Sequence, residues 1–202
     1  TAFNTLFVDA IRCLNPGILR YLQMGGSTVE NTIRPATDQF RFSSSPWMKT
    51  GPRGDTFSYG FSLHEMYELC AEVGADPWFS LPGVIHEKEV EQFIEYLAAP
   101  ADTGFGRLRA ELGQESPWTE VFDEIIIEFG NEAWNAWGPF SAGGFNGPDY
   151  WRDLIEVGKS SEWYDPKMRF AIAGQNFNGW LNKRIAADAP NADLFAIATY
   201  MV

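Results

Sequence analysis

Short apolar runs alternate with helical patterns along the whole of this 202-residue chain. Five such runs are predicted strands, and a stretch with apolar residues at helical spacing precedes each of them. They lie at about 18–24, 75–83, 123–129, 169–175 and 193–201. Runs that are apolar on both faces are typical of a parallel sheet with helical crossovers. The order therefore predicts an α/β fold, and two architectures fit it, a doubly wound sheet and a (β/α)8 barrel.

Local signals mark several helix boundaries and one long connection. Ser62 with Glu65 three residues later is a capping box, and Gly74 ends the helix that it starts. A short helical piece is expected around Leu108. The polar stretch 27–58 is predicted to be an extended loop, and loops of that length are usually functional. Further helices are predicted at about 3–14, 90–97, 150–157 and 178–188.

Charge and composition exclude several classes of function. The net charge of -12 argues against a nucleic-acid partner and against binding to an anionic membrane surface. No apolar run is long enough for a transmembrane helix. Cys13 and Cys70 fall at apolar helical positions and are predicted to be buried thiols, while His64 and His86 are isolated, with His86 expected at the surface. We therefore expect no metal site, and because no phosphate-binding glycine loop follows a strand, no nucleotide cofactor.

The third apolar run ends in polar residues with chemical potential, within the sequence EIIIEFGNEAWNAW. In both architectures the sites lie where the parallel strands end, so Glu132 is expected at the rim of a cleft. Partial desolvation beside Trp134 would raise the pKa of Glu132 toward that of a general acid. The amide of Asn131 can both donate to and accept from a ligand hydroxyl.

An acid beside an amide that binds hydroxyls suits the cleavage of a glycosidic bond, which needs a proton on the leaving oxygen and a hold on the sugar. The alternative is that Glu132 caps the helix that follows or is simply exposed. The eight tryptophans of the chain are mostly expected in the core, although such a surplus also suits stacking on sugar rings.

The run IIIEFGNEAWN resembles the fourth-strand signature of the clan A glycoside hydrolases, which are retaining enzymes with a (β/α)8 barrel. Other segments are most similar to the α-L-arabinofuranosidases of glycoside hydrolase family 51, so that the resemblance covers nearly the whole chain. These segments are ILRYLQMGGS, FSLHEMYELCAEVGADPWFSLPG, EYLAAPADTGFGRLRAELGQESPW and DLFAIATYMV. The resemblance implies that residues 1–202 are one domain, an incomplete barrel containing about its second to sixth strands. The first strand would precede Thr1, and the last two would follow Val202.

The resemblance also implies roles for individual residues. Glu132 matches the general acid/base, and Asn131 matches the amide that binds the hydroxyl next to the anomeric carbon. Tyr200 falls near a clan position that hydrogen-bonds the nucleophile, although a core tyrosine is the alternative. The nucleophile itself would be a second glutamate at the end of the seventh strand, outside this chain.

Glu128 and Arg20 are predicted to support this site. Glu128 matches a strand glutamate four residues before the acid/base, and the even spacing gives both side chains the same inward direction. A carboxylate in that position needs a partner, and Arg20 on the neighbouring strand is the candidate. The pair is either a structural salt bridge or part of the site. A further alternative implied by the resemblance is that Arg20 matches the clan arginine that orients the nucleophile. Residues at strand ends or in long loops that are candidates to contact sugar, with packing or loop structure as their alternative, are Trp47, Trp78, Trp134, Asn135, Gln175 and Asn176.

The leading hypothesis is a retaining glycoside hydrolase that acts on plant-type polysaccharide or oligosaccharide, with arabinofuranoside as the first substrate. A second hypothesis is a non-catalytic carbohydrate-binding protein on a degenerate barrel, and a third is a doubly wound enzyme with an unrelated carboxylate. Strand order separates the third from the others. The chain alone is expected to be inactive and to need the remaining barrel strands, and a secreted or periplasmic location is somewhat favoured.

Overall fold

A computed structural model describes residues 2–22, 28–39, 61–131 and 147–197, and these form a parallel sheet with helices packed against one face. The strands are β1 Ile18–Leu22, β2 Asp76–Leu81, β3 Ile125–Phe129, β4 Met168–Gly174 and β5 Leu194–Ile197. The helices are α1 Thr5–Leu14, α2 Val29–Ile33, α3 Leu63–Val73, α4 Glu87–Ala98, α5 Gly104–Glu111, α6 Trp118–Val121, α7 Gly147–Ser160 and α8 Gly179–Asp188. Every predicted strand is present.

The strand order decides between the two predicted architectures. In the sheet the order is β1-β2-β3-β4-β5, and each described strand pairs in parallel with its neighbour in sequence. A doubly wound sheet requires a switch point where the order reverses, and the described strands contain none. The prediction of a partial (β/α)8 barrel is therefore confirmed, and the doubly wound alternative is wrong.

The two faces of the sheet differ in chemistry. Successive side chains of a strand point to opposite faces, and one set, which includes Phe79, Ile127 and Phe170, joins the hydrophobic core beneath the helices. The register aligns Ser80 with Glu128, and Glu128 with Ala171. We call this second face, which carries charged, aromatic and small side chains, the barrel face. Its residues include Arg20, Trp78, Ser80, Glu128 and Ala171.

Helix α3 shows how local sequence sets an element. The hydroxyl of Ser62 accepts from the backbone N–H of Glu65, whose carboxylate accepts from the N–H of Ser62, as the capping box predicts. Gly74 ends the helix with φ 75°, a left-handed conformation that glycine adopts without strain. His86 is exposed, as predicted, and its side chain caps α4.

Two sequence predictions about the beginning of the chain are wrong. Cys13 is exposed rather than buried, while Cys70 is buried. Helical spacing shows that α1 has an apolar stripe, but it does not show which residues a neighbour covers; Leu6 and Leu14 are 80% and 76% exposed. The predicted loop at 27–58 also contains α2 and a 3-10 turn, Ala36–Asp38, and residues 40–60 lie outside the described part of the chain.

The connection between α4 and β3 contains two short helices, of which the sequence predicted one. The expected piece around Leu108 is α5, whereas α6 was not predicted because four residues are too few for a periodic pattern. Among the described residues, no helix has both the length and the apolar character needed to cross a membrane.

Candidate active site

Side chains from three neighbouring strands meet on the barrel face near the edge where the strands end, which we call the carboxyl edge. The Nε and Nη2 atoms of Arg20 in β1 donate to Oε2 of Glu128 in β3 at 2.9 and 2.8 Å. The indole Nε1 of Trp78 in β2 donates to the same oxygen at 2.8 Å. The guanidinium carbon of Arg20 also lies 5.2 Å from the centre of the Trp78 ring, a cation–π distance. Trp78 therefore contacts both members of the ion pair.

Burial dominates the electrostatics of Glu128. The side chain is only 1% exposed, while that of Arg20 is 35% exposed. Burial raises the pKa of Glu128, and the positive charge of Arg20 together with the hydrogen bonds from Arg20 and Trp78 opposes the rise. A buried carboxylate is costly unless donors surround it, so these two side chains are what allow Glu128 to carry a charge there.

The end of β3 turns sharply and places Asn131 beside this pair. Gly130 has φ 67°, and its N–H donates to the carbonyl of Leu81 at 2.8 Å. The hydroxyl of Ser80 donates to the carbonyl of Gly130, so both polar groups of the turn are bonded to β2. The glycine permits the left-handed turn, and the two bonds fix the position from which Asn131 extends.

The contact with Arg20 orients the amide of Asn131. Nη2 of Arg20 lies 3.1 Å from Oδ1 of Asn131. Because a guanidinium has donors and no acceptor, the amide must turn its oxygen toward Arg20 and its nitrogen away. The Nδ2 group of Asn131 is then directed away from the ion pair as a hydrogen-bond donor. One arginine thus holds both a buried carboxylate and the amide three residues later.

The predicted contact between Arg20 and Glu128 is present, and Asn131 lies next to it. Asn176 is in the loop that follows β4, at the same edge of the sheet, and is half-buried. Five other residues predicted for the site lie outside the described part of the chain: Trp47, Glu132, Trp134, Asn135 and Tyr200.

Sequence reasoning missed the role of Trp78, which it considered only as a residue that could contact sugar. The sequence does show that Trp78 and Ser80 point to the same face of β2. It does not show that the indole of Trp78 reaches Glu128, because that contact depends on the register between β2 and β3. In the described residues, no group of three or more His, Cys, Asp or Glu side chains is placed to hold a metal ion.

The fold is that of a partial (β/α)8 barrel. The charged pair and the oriented amide lie at its carboxyl edge, where (β/α)8 enzymes have their active sites. No protein-family model matches the chain. The chain is 25% identical over 197 residues to the intracellular exo-α-L-arabinofuranosidase of Bacteroides ovatus, which covers 95% of this chain and 33% of that protein. It therefore spans about a third of the length of this relative.

Two solved structures have a similar fold. The α-L-arabinofuranosidase of Thermotoga maritima, solved in complex with arabinose, has a TM-score of 0.72 at 22% identity, over 96% of this chain and 39% of that one. The thermostable family 51 α-L-arabinofuranosidase of Thermotoga petrophila RKU-1 has a TM-score of 0.72 at 21% identity, over 94% and 38%. The resemblance to the α-L-arabinofuranosidases of glycoside hydrolase family 51 is thus confirmed in sequence and in fold.

Proposed function

We propose that the complete protein is a retaining glycoside hydrolase and that this chain provides the acid/base side of its active site. The observation that carries the proposal is the contact of Arg20 with both Glu128 and Asn131, at the end of β3. It holds the amide immediately before Glu132, at the edge where barrel enzymes do their chemistry.

In the proposed mechanism Glu132 first protonates the oxygen of the leaving group. A glutamate outside this chain attacks the anomeric carbon and forms a glycosyl-enzyme. Glu132 then removes a proton from the water that hydrolyses this intermediate. Nδ2 of Asn131 donates to the sugar hydroxyl beside the anomeric carbon, a bond that strengthens as charge develops in the ring.

We further propose α-L-arabinofuranosides as the substrates, and plant-type polysaccharide or oligosaccharide as their source. The names of the relative from Bacteroides ovatus and of the similar structures support this choice. The orientation of Asn131 supports a sugar ligand more generally, because it presents an amide donor that a hydroxyl oxygen can accept from.

The test is Glu132→Gln in the full-length protein, with kcat measured on α-L-arabinofuranosides. Losing the general acid is expected to lower kcat by about 10²–10⁴-fold on substrates with poor leaving groups. On an aryl glycoside with an acidic phenol, which departs without a proton, the loss in kcat/KM should be much smaller, whereas kcat still falls because Glu132 is also the base of the second step. Glu124→Gln is the matched control, because Glu124 pairs with Arg169 at the opposite end of β3.

Full activity of the Glu132→Gln protein would overturn the assignment of Glu132. A second outcome is that the natural protein and Glu132→Gln bind arabino-oligosaccharides with the same affinity and neither hydrolyses them. The protein would then be a carbohydrate-binding protein on a degenerate barrel.

A further inference from the structure

Two large aromatic side chains stand exposed where the chain passes from β4 into α8. Phe177 is 83% exposed and Trp180 is 68% exposed, and both lie within one turn of the start of the helix. Burying a side chain of this size removes 150–250 Å² from water, so aromatic rings are among the side chains that gain most from a partner. Neither ring belongs to the hydrophobic core that the described residues form.

The backbone that carries the two rings is firmly held. Oδ1 of Asn182 accepts from the N–H of Gln175 at 2.7 Å, and Nδ2 of Asn182 donates to the carbonyl of Gln175 at 2.6 Å. Oδ1 of Asn178 accepts from the N–H of Leu181 at 3.0 Å and caps the helix. A Cβ at Gly174 would lie 2.3 Å from the ring of Phe195 and 2.8 Å from Oδ1 of Asn182, so the glycine makes room for both side chains. The rings therefore extend from a preorganised loop, which lowers the entropy cost of binding.

The usual intrahelical explanation for an apolar residue at this position does not apply. Phe177 precedes the N-cap Asn178, and an apolar residue there commonly packs on an apolar residue at the fourth helical position. That position is occupied by Asn182, whose amide is committed to the backbone of Gln175. The ring of Phe177 thus has no hydrophobic staple to form.

The pairing of β3 with β4 places this loop beside the candidate active site. Glu128 aligns with Ala171 on the adjacent strand, and β3 and β4 end at Phe129 and Gly174, at the same edge of the sheet. Neighbouring strands are about 4.8 Å apart. The loop that begins at Gln175 therefore flanks the end of β3 on the same edge of the sheet.

We propose that Phe177 and Trp180 form a stacking platform for a sugar unit of the substrate beyond the bond that is cleaved. The C–H face of a sugar ring is apolar and can lie on an aromatic ring, while hydroxyls at its rim need hydrogen-bond partners. Gln175 and Asn176, both half-buried, provide amides next to the rings. The platform rests on the proposed function, and it makes the protein select a polymeric or oligomeric substrate over a short one.

The test uses the full-length protein with the single variants Phe177→Ala and Trp180→Ala, and Trp180→Phe as a conservative variant. Each is assayed on 4-nitrophenyl α-L-arabinofuranoside and on α-1,5-linked arabinopentaose. We expect kcat/KM on the pentaose to fall about tenfold in the alanine variants, against less than about threefold on the aryl glycoside. Trp180→Phe should retain most of the activity on the pentaose. Leu14→Ala is the control, because Leu14 is 76% exposed and lies before β1, toward the opposite edge.

An equal loss on both substrates with a lower melting temperature would overturn the platform, because the rings would then be packing against the rest of the protein. Unchanged kinetics on both substrates would overturn it as well. If the natural protein hydrolyses neither substrate, the proposed function fails and calorimetric binding of arabinopentaose decides the platform. Weaker binding by the alanine variants then supports it, and equal or undetectable binding rejects it.

Discussion

Glu128 and His64 are two ionisable residues that burial drives toward their neutral forms. Around Glu128, the charge of Arg20 opposes the rise in pKa. Burial lowers the pKa of His64 to about 4, the carbonyl of Leu112 opposes this change, and the positive charge of Arg109 adds to it. Nδ1 of His64 lies 2.9 Å from the hydroxyl of Tyr96. The first residue belongs to the candidate site, and the second to the core behind the sheet.

Arg20→Lys in the full-length protein tests whether Arg20 positions Asn131. Lysine keeps the positive charge but has one ammonium in place of the planar fork, so it cannot hold Glu128 and Asn131 together in the same geometry. We expect kcat/KM to fall by about 10–100-fold while the free energy of unfolding falls by less than about 2 kcal/mol. Arg169→Lys is the control, because Arg169 lies near the start of β4 and pairs with Glu124, away from the carboxyl edge. If Arg20→Lys has the same kcat/KM as the natural protein, the pair of Arg20 and Glu128 is a purely structural salt bridge.

His64 predicts a dependence of stability on pH. Its pKa is about 4 in the folded state and 6.5 in the unfolded state, so the unfolded chain binds the extra proton first as the pH falls. The stability that the neutral histidine provides is present above pH 6.5 and is lost as the pH falls toward 4. The loss is about 3 kcal/mol.

Denaturant unfolding of the natural protein and of His64→Gln between pH 4 and pH 7 measures this contribution, because other titrating groups cancel in the difference. The free energy of unfolding of the natural protein, minus that of His64→Gln, should fall by about 3 kcal/mol from pH 7 to pH 4. A difference in free energy of unfolding that stays constant with pH would mean that His64 is not desolvated in the folded protein.

At the scale of elements, α5 packs closely against the end of α4. Gly106 faces the carbonyls of Ala99 and Pro100, and a Cβ there would lie 2.7 and 2.2 Å from their oxygens. Arg109, one turn later, is fully buried and donates to the carbonyls of Tyr96 and Ala99 at 2.7 Å each. The two residues act together, since the glycine lets the helix come close enough for the arginine to reach.

Gly106→Ala is expected to destabilise the protein, because backbone carbonyls cannot move aside as a flexible side chain can. We expect a loss of about 1–3 kcal/mol in the free energy of unfolding, measured with denaturant. Gly17→Ala is the matched control, since nothing lies within 4 Å of a Cβ at Gly17. The expected change for the control is within about 0.5 kcal/mol. Similar values for the two variants would contradict the close packing of α5.

At the scale of the molecule, the described strands form part of a barrel with two edges. Within the described residues β1 pairs only with β2, and β5 only with β4. Exposed apolar side chains lie beside both edges, among them Ile18 at 43% and Ile197 at 46%. An unpaired strand edge invites pairing with another chain.

We therefore predict that residues 1–202, expressed alone, self-associate and do not hydrolyse arabinofuranosides. Light scattering and an assay with an aryl glycoside measure the two outcomes, and the full-length protein is the positive control. The proposed nucleophile lies outside this segment, so hydrolysis would be lost even if the segment folded. If the segment is monomeric, the edges of β1 and β5 do not drive association. If it is active, the nucleophile does not lie outside this chain.

The sequence by itself determined the features that depend on neighbouring positions along the chain. Alternation of apolar runs and helical patterns predicted the five strands, and the capping box predicted the start of α3. Even spacing put Glu128 on the inward face, and its need for a partner pointed to Arg20. Each of these signals spans a few residues, where backbone geometry ties residue spacing to the direction of the side chain.

Only the tertiary structure decided what meets across the sheet. Arg20 and Glu128 are 108 positions apart, and Trp78 and Glu128 are 50 apart. Which side chains face each other depends on the register between strands, and for strands so far apart in the sequence that register is specified by which faces become buried in the folded sheet. The same reason explains Cys13 and the apolar stripe of α1, since a helical period shows that an apolar face exists but not what covers it.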